Sequence, residues 1–274
     1  MAKCIISGFA DEIADRLDEQ LATLAKLNVH YMEMRNVNGR NFTDYTPAEA
    51  KEIKRQLDAS GVRLSAVGSP LGKIGIEEDF GPHMDRFKRT MELAQIMETA
   101  YIRMFSFFIP DGKDPDEYKN AVLERWFQFQ EYAKGSGIIL LHENEKGIYG
   151  DIPRRCRTLL DAMDWDTVRG IFDPANFVQC KADTLEGFRL LEDKIVYMHI
   201  KDAIWDTGKV VPSGQGDGHL PEILGQLAGK DFCGFLSLEP HLETGDIAVG
   251  GPEKFTIAHK ALMDILEKLD VEIA

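Results

Sequence analysis

Short apolar runs alternate with segments of helical periodicity eight times along the chain. Because helices separate runs of only four to eight residues, we interpret the runs as strands of a parallel sheet. The predicted strands are residues 3–9, 29–34, 62–67, 101–108, 137–142, 168–172, 195–200 and 235–238. Eight strand–helix units in 274 residues predict an α/β fold, a (β/α)8 TIM barrel that forms a single domain over residues 1–274.

The segments between the strands carry helix signals. Helical periodicity predicts helices at residues 11–27, 46–60, 82–99, 114–134, 151–163, 184–191, 220–228 and 252–269. A doubly wound open sheet is the alternative arrangement of such units. It usually carries a glycine-rich turn after an early strand, and the sequence contains no G-x-G-x-x-G pattern. The closed barrel is therefore favoured.

Charge and composition narrow the range of partners. Forty-six acidic and 32 basic residues give a net charge of −14, which disfavours nucleic acid and anionic membranes. No apolar run approaches the length of about 20 residues that spans a membrane, and the N-terminus lacks a signal-peptide pattern. The four cysteines form no C-x-x-C pair, which disfavours a disulfide framework or a thiolate zinc site. We expect a cytoplasmic protein.

Four consecutive strands of the second half end in a residue that can bind a metal. These residues are Glu143, Asp173, His199 and Glu239, which lie 30, 26 and 40 residues apart, each about one strand–helix unit. Taken alone, each has another interpretation: Asp173 before a proline as a helix cap, His199 as a core residue and the glutamates as exposed loop residues. In a barrel, however, the carboxyl ends of parallel strands meet at one mouth. Three carboxylates and an imidazole there suit Mn²⁺, Mg²⁺, Co²⁺ or Zn²⁺.

Further polar residues near the predicted strand ends are candidates for binding substrate. They are Glu33, Arg35, Lys73, Arg103, Glu145, Asn176, Lys201, Asp202 and His241. For several of them another role is open. Glu33 and Arg35 can pair with each other, and Arg103, inside an apolar strand, needs a counter-charge from the site or the substrate.

The remaining candidates carry similar alternatives. Lys73 lies in a glycine-rich loop, where it can bind an anionic group or simply be solvated. Asp202 can cap a helix or support the site from behind. Lys201 shares the strand face of His199 and is a candidate substrate clamp. His142 faces away from Glu143 and is interpreted as a packing residue.

Five motifs carry a resemblance to a known family. LLHENE, GIFDPAN, YMHIKD, GQGDG and GFLSLEPH stand in this order, and the chain is similar over nearly its whole length to the sugar phosphate isomerase/epimerase family of xylose-isomerase-like TIM barrels. The resemblance implies a divalent metal, first of all Mn²⁺, held by Glu143, Asp173, His199 and Glu239, and a homo-oligomer as in several relatives. It also implies that the two glutamates shuttle protons. Several relatives carry His where this chain has Asn176, a departure that bears on a ketose 3-epimerase assignment and leaves metal binding unaffected.

These residues lead to a hypothesis of function. The metal would chelate a carbonyl and a neighbouring hydroxyl of a keto sugar or hydroxy-keto acid and stabilise an enediolate. Glu143 and Glu239 would remove and return the proton, which makes the chain an isomerase or epimerase with a small carbohydrate as its partner. Two alternatives remain open: a dehydratase of the inosose or dehydroshikimate type, with Glu145 or His241 as the acid, and a non-catalytic sugar- or metal-binding barrel. A DNA-repair endonuclease of the same fold is disfavoured by the seven histidines and the net charge.

Overall fold

The computed structural model describes residues 3–230, 232–242 and 250–273, and within them eight parallel strands form the barrel. The strands are β1 (Lys3–Gly8), β2 (Tyr31–Met34), β3 (Arg63–Val67), β4 (Tyr101–Met104), β5 (Ile139–Glu143), β6 (Val168–Phe172), β7 (Ile195–Ile200) and β8 (Phe235–Leu238). Hydrogen-bonded ladders join them in the order β1, β8, β7, β6, β5, β4, β3, β2. The predicted (β/α)8 TIM barrel is therefore confirmed.

The barrel closes between β1 and β2. A parallel bridge joins Phe9, just after β1, to Glu33 in β2. The register between β2 and β3 shifts after Met32, so that Glu33 pairs with Ala66 and Ser65 is skipped. Such a bulge bends the strand and re-aims its side chains, and here it lies where polar residues enter the barrel. A short strand, Glu272–Ile273, pairs with the start of β1.

The helices follow the strands and cover the outside of the barrel. Within the described residues they are α1 (Leu17–Lys26), α2 (Pro47–Ser60), α3 (Gly81–Ile96), α4 (Lys119–Ala133), α5 (Pro153–Ala162), α6 (Pro174–Gln179), α7 (Thr184–Leu191), α8 (Leu220–Ala228) and α9 (Gly251–Lys268). In α2, Thr46 and Glu49 form the predicted capping box, and Gly61 ends the helix at φ 73°. None of the described helices is long and apolar enough to cross a membrane.

Two differences between the predicted and the observed elements lie directly after β1 and β6. The segment predicted as one helix at 11–27 is a 3₁₀ turn, Ala10–Glu12, followed by α1. The short helix α6 was not predicted, because six residues are too few to show a helical period. Both differences lie directly after a strand, so they change which side chains reach the mouth of the barrel.

The predicted strand at 101–108 ends at Met104. Phe105 and Phe107 donate their backbone N–H groups to Leu71 and Gly72, 2.8 and 2.9 Å away, so the chain leaves the barrel sheet for the loop after β3. Phe107 has φ 65°, which ends the extended conformation. A Cβ on Gly72 would lie 2.1 Å from the carbonyl oxygen of Phe105, so only glycine permits this approach.

The two ends of the barrel differ in chemistry. At the amino ends of the strands, Tyr31, Tyr101 and Tyr197 surround Phe235, with ring centroids 5.1, 6.2 and 5.5 Å from its own. Edge-on and tilted contacts of this kind stabilise aromatic clusters beyond the area they bury. The amino end of the barrel interior is thereby filled with aromatic rings, whereas the buried carboxylates described below lie towards the carboxyl end.

Asp202 organises the long loop after β7. Its carboxylate accepts hydrogen bonds from the backbone N–H groups of Ala203, Gly214, Gly216 and Gly218, at 2.8–3.0 Å. A Cβ on Gly216 would lie 2.4 Å from Asp202 Oδ1, which explains glycine in this part of the loop. The buried carboxylate thus holds together a loop whose strand Val210–Val211 borders the barrel mouth.

Replacing Asp202 by Ala should destabilise the fold, because four backbone donors lose their acceptor. We expect the free energy of unfolding to fall by at least about 1–3 kcal/mol, the cost of one unsatisfied buried donor. Urea denaturation followed by circular dichroism measures this loss. Asp206→Ala, at an exposed position of the same loop, should change stability by less than about 0.5 kcal/mol. Equal stability of the two variants would contradict the assigned role of Asp202.

Candidate metal centre

Four strand ends bring metal-capable side chains to one point at the barrel mouth. Glu143 ends β5, Asp173 follows β6, His199 lies near the end of β7 and Glu239 follows β8. One ligand atom of each lies within 4.8 Å of the others, and all four side chains are buried. The residues expected to converge therefore do lie together.

Asp173 fills both of the roles that the sequence suggested, helix cap and candidate metal ligand. Its Oδ1 accepts a hydrogen bond from Asn176 N at 2.9 Å and caps α6. Its Oδ2 faces the cluster, 3.9 Å from His199 Nδ1 and 2.7 Å from Lys201 Nζ. Within the described residues, no donor meets this oxygen with hydrogen-bond geometry. A buried carboxylate oxygen left without a hydrogen bond fits a metal ligand.

Each glutamate of the cluster lies beside an arginine. Glu143 Oε2 accepts a hydrogen bond from Arg103 at 3.2 Å, and Glu239 Oε1 accepts one from Arg35 at 3.2 Å. The ring of Phe9 lies between the two guanidinium groups, 4.7 Å from that of Arg35 and 4.8 Å from that of Arg103. Both arginines are therefore held by a cation–π contact as well as by a carboxylate.

Lys201 supplies a third cation. Its Nζ lies 2.7 Å from Asp173 Oδ2 and 2.7 Å from Glu239 Oε2, and the side chain is buried. The two carboxylates raise the pKa of Lys201 well above its usual value despite its burial, so it carries a positive charge. It bridges two of the four candidate ligands from the side of the cavity described below.

The pKa values of the carboxylates diverge because they compete for these cations. Burial raises the pKa of Asp173 to about 7, although Lys201 opposes the shift. For Glu143 burial acts in the same direction, but the charges of His199 and Arg103 outweigh it and lower the pKa to about 2. Neighbouring carboxylates ionise together only when enough positive charge is present. A divalent cation would stabilise the ionised form of all of them.

His199 presents its two ring nitrogens to different groups. Nδ1 lies 3.0 Å from Glu143 Oε1 and 3.8 Å from Glu239 Oε2, inside the cluster. Nε2 lies 3.2 Å from the carboxylate of Glu33 on the other side of the ring. Three carboxylates and one imidazole nitrogen that face a common point suit a divalent metal ion, so the residues present fit the predicted cofactor.

A cavity of about 260 Å³ opens beside the cluster. Its walls include seven of the nine residues that were predicted to bind substrate, and the complete lining is Arg35, Lys73, Arg103, Glu145, Asn176, Gln179, Lys201, Val210, Glu239 and His241. All of these side chains except that of Val210 can form hydrogen bonds. The lining suits a small ligand with many hydroxyl or carbonyl groups.

The rim of the cavity is built from ion pairs. Lys73 lies 2.9 Å from Glu145, and both side chains are partly exposed. His241 contacts Glu12 through Nδ1 at 3.0 Å and Glu239 through Nε2 at 3.2 Å. Because these charged groups lie at the opening, they are placed to contact a ligand that enters the cavity.

Two residues predicted to bind substrate lie elsewhere. Glu33 is fully buried beneath His199, because it lies two residues before Arg35 on the inward face of β2 and therefore deeper in the barrel. Asp202 points into its own loop, where its carboxylate oxygens accept hydrogen bonds from four backbone N–H groups. The suggested pairing of Glu33 with Arg35 is also replaced, since Arg35 pairs with Asp11 at 2.7 Å. His142 was interpreted correctly: it is buried and bonds to Ser106.

Sequence reasoning missed four polar or lining residues. Asp11 and Glu12 hold Arg35 at 2.7 and 3.4 Å, and their position right after β1 was a usable signal. Gln179 and Val210 line the cavity. Gln179 lies one helical turn beyond Asn176 on the unpredicted helix α6, whereas Val210 belongs to a loop with no periodic pattern.

The chain is similar in sequence to a known protein family over most of its length. The sequence profile of the family described as xylose isomerase-like TIM barrel matches residues 21–263. This chain belongs to that family. All four residues of the candidate metal centre lie inside the matched part of this xylose isomerase-like barrel. No curated protein sequence matches the chain significantly.

Solved structures share the fold of this xylose isomerase-like barrel. A D-tagatose 3-epimerase-like protein has a TM-score of 0.79 at 15% identity, over 97% of this chain and 98% of that one. The IOLI protein with a binding zinc atom has a TM-score of 0.76 at 16% identity, over 97% and 99%. A probable 3-DHS dehydratase, AsbF, from Bacillus anthracis has 0.73 at 15%, over 95% and 98%. At these identities the similarity establishes the fold alone.

Removing one carboxylate should weaken metal binding. Asp173→Asn keeps a side-chain oxygen for the cap of α6, since Asn is a good N-cap, but removes the charge at Oδ2. We expect the affinity for Mn²⁺, measured by isothermal titration calorimetry, to fall by at least about 100-fold. Loss of a residue that only supports a ligand already lowers metal affinity by up to about this factor, and loss of a ligand should cost more. Asp58→Asn, at an exposed position of α2, is the matched control. Similar affinities for both variants would contradict the site.

Metal affinity should also depend on pH. The pKa of Asp173 is about 7 without metal, and that of His199 is raised by Glu143 and Glu33 despite burial. At lower pH the ion must displace protons from these ligands, so affinity should fall as pH falls. We expect Mn²⁺ affinity to fall about tenfold or more between pH 7 and pH 6, because each ion that binds must release at least one proton. Titrations at both pH values that gave the same affinity would refute this.

Proposed function

We propose that this chain is a divalent-metal-dependent isomerase or epimerase of a keto sugar or hydroxy-keto acid. The observation that carries the proposal is a buried cluster of three carboxylates and one histidine that opens into a small polar cavity. A protein that only stores metal would not need this second feature. We take Mn²⁺ as the first cofactor to test, with Mg²⁺, Co²⁺ and Zn²⁺ as the alternatives.

The two glutamates are placed for proton transfer. The bound ion would act as a Lewis acid that polarises the substrate carbonyl and stabilises the enediolate. Glu143 and Glu239 come from β5 and β8, with β6 and β7 between them, so they approach the site from different sides. One would take the proton next to the carbonyl, and the other would return it to a neighbouring carbon or to the opposite face.

The cations of the cavity would orient the substrate. Lys201, Arg35 and Arg103 contact the candidate ligands and also line the cavity, so each can donate a hydrogen bond to a substrate oxygen. Asn176 donates to Glu143 at 3.3 Å and lines the same wall. These residues are fixed by buried contacts, which favours one orientation of the reacting carbons.

A dehydratase is the second candidate. It shares the deprotonation step but expels a β-hydroxyl, which needs an acid near that leaving group. Glu145 and His241 both line the cavity away from the cluster centre, and either can supply the proton. The specific observation that favours this candidate is that a carboxylate and an imidazole outside the four candidate ligands line the same cavity.

Incubation with a panel of keto sugars and hydroxy-keto acids in D₂O, with Mn²⁺ present, should distinguish the candidates. We expect deuterium at the carbon next to the carbonyl and an otherwise unchanged mass, because an isomerase returns a proton taken from solvent. Mass spectrometry that finds the loss of water would instead establish the dehydratase. Metal-loaded protein that exchanges no proton and releases no water from any compound would reduce the chain to a binding protein.

Replacing either glutamate should abolish exchange. Glu143→Gln and Glu239→Gln keep the side-chain volume and remove the base, so the exchange rate should fall by at least about 10²-fold, the lower contribution of a general base. Because both residues are also candidate ligands, each variant is compared at Mn²⁺ concentrations that saturate it. Glu131→Gln, an exposed change on α4, should leave the rate unchanged. Full exchange in both glutamate variants would rule out their catalytic roles.

A further inference from the structure

Glu33 is a buried carboxylate that the reaction as proposed does not use. It has no exposed surface and lies inside the barrel below the cluster. Its Oε2 is 2.9 Å from Tyr197 Oη, 2.8 Å from Ser237 Oγ and 3.2 Å from His199 Nε2. An isolated carboxylate is costly to bury, so three partners on one oxygen indicate a defined role for this residue.

The hydroxyl groups around Glu33 all point their protons towards it. Tyr197 donates its one hydroxyl proton to Glu33, so its contact with Ser65 at 2.9 Å requires Ser65 to be the donor. Ser65 then accepts from Ser7 at 2.7 Å. The chain of hydrogen bonds therefore runs in one direction, from Ser7 through Ser65 and Tyr197 to Glu33. A chain of this kind strengthens each of its bonds.

The same reasoning fixes the proton on His199. Glu33 Oε2 accepts hydrogen bonds from Tyr197 and Ser237, and His199 Nε2 donates its hydrogen to the same oxygen. Nδ1 in turn donates to Glu143 Oε1 at 3.0 Å, so the ring carries both protons until a bound metal ion replaces the proton on Nδ1 and takes up that lone pair. Nδ1 is the nitrogen that faces Glu143, Asp173 and Glu239, at 3.0, 3.9 and 3.8 Å.

We propose that Glu33 is a positioning residue that binds Nε2–H of His199 and thereby directs the Nδ1 lone pair into the metal centre. The proposal rests on the proposed metal site. Glu33 touches neither the cavity nor the cluster carboxylates, and it acts through the orientation and tautomer of one ring. Arg103 Nε lies 4.0 Å from Glu33 Oε1, while Nη1 and Nη2 of the same guanidinium group donate hydrogen bonds to Glu143 Oε2 and to the carbonyl of Gly68.

Metal affinity of the matched variants Glu33→Gln and Tyr197→Phe tests the proposal. Glu33→Gln keeps the volume but removes the charge that holds Nε2–H. Tyr197→Phe removes a donor to the same oxygen and leaves the contact between Glu33 and His199 in place. We expect Mn²⁺ affinity, measured by electron paramagnetic resonance of free Mn²⁺, to fall about 10- to 100-fold in Glu33→Gln and by less than about threefold in Tyr197→Phe. Equal losses would mean that the network acts only as core packing and would overturn the proposal.

A measurement on the unmodified protein covers the case in which Glu33→Gln does not fold. In Zn²⁺-loaded protein with ¹⁵N-labelled histidine, NMR should detect a proton on Nε2 of His199 and metal on Nδ1. A proton on Nδ1 with metal on Nε2 would overturn the proposal. If the unmodified protein bound neither Mn²⁺ nor Zn²⁺, the proposal of a metal site would itself be refuted. Normal binding with an unaffected Glu33→Gln variant would refute the role of Glu33 alone.

Discussion

The repulsion among three buried carboxylates is the constraint around which the barrel mouth is built. Ligand atoms of Glu143, Asp173 and Glu239 lie within 4.8 Å of one another, and each pair of full charges at that distance costs at least roughly 3 kcal/mol at an effective dielectric constant of about 20. Arg103 and Arg35 each offset one glutamate, and Lys201 bridges two of the carboxylates. These cations come from three different strands or strand ends. Arg103 and Lys201 contact carboxylates on neighbouring strands, whereas the pair of Arg35 with Glu239 forms only when the barrel closes between β1 and β2.

The same constraint explains why polar groups concentrate at one end of the barrel. The amino end is filled by Tyr31, Tyr101 and Phe235, which need no counter-charge. Between the two ends, the hydroxyl chain that ends at Glu33 carries hydrogen bonds from the apolar centre up to His199. Burying the carboxylate of Glu33 below His199 costs less free energy than burying it in a purely apolar core, because its hydrogen-bond partners are already in place.

The sequence predicted the barrel and the four candidate ligands because both follow from periodicity. One strand–helix unit separates each of Glu143, Asp173, His199 and Glu239 from the next. The depth of Glu33 could not be derived in this way, since alternation along β2 gives the face on which its side chain lies but not its distance below the barrel mouth. Asp202 was misplaced for another reason: its four backbone partners lie up to 16 residues away in a loop without a repeating pattern. Periodicity assigns side chains to the faces of strands, but it carries no information about their depth in the barrel or about loops.

The cluster of ligands does not by itself distinguish an isomerase from a dehydratase, because both begin with the same deprotonation. The distinction depends on whether an acid can reach the leaving hydroxyl, and that acid must lie on the cavity wall outside the cluster. Glu145 is paired with Lys73 at 2.9 Å on the rim of the cavity. His241 is bound between Glu12 and Glu239, which raise its pKa despite partial burial. Both candidate acids are thus engaged by opposite charges, and so are the two glutamates of the cluster, which Arg103, Arg35 and Lys201 contact. The outcome of the reaction therefore depends on which of these ion pairs the bound substrate replaces.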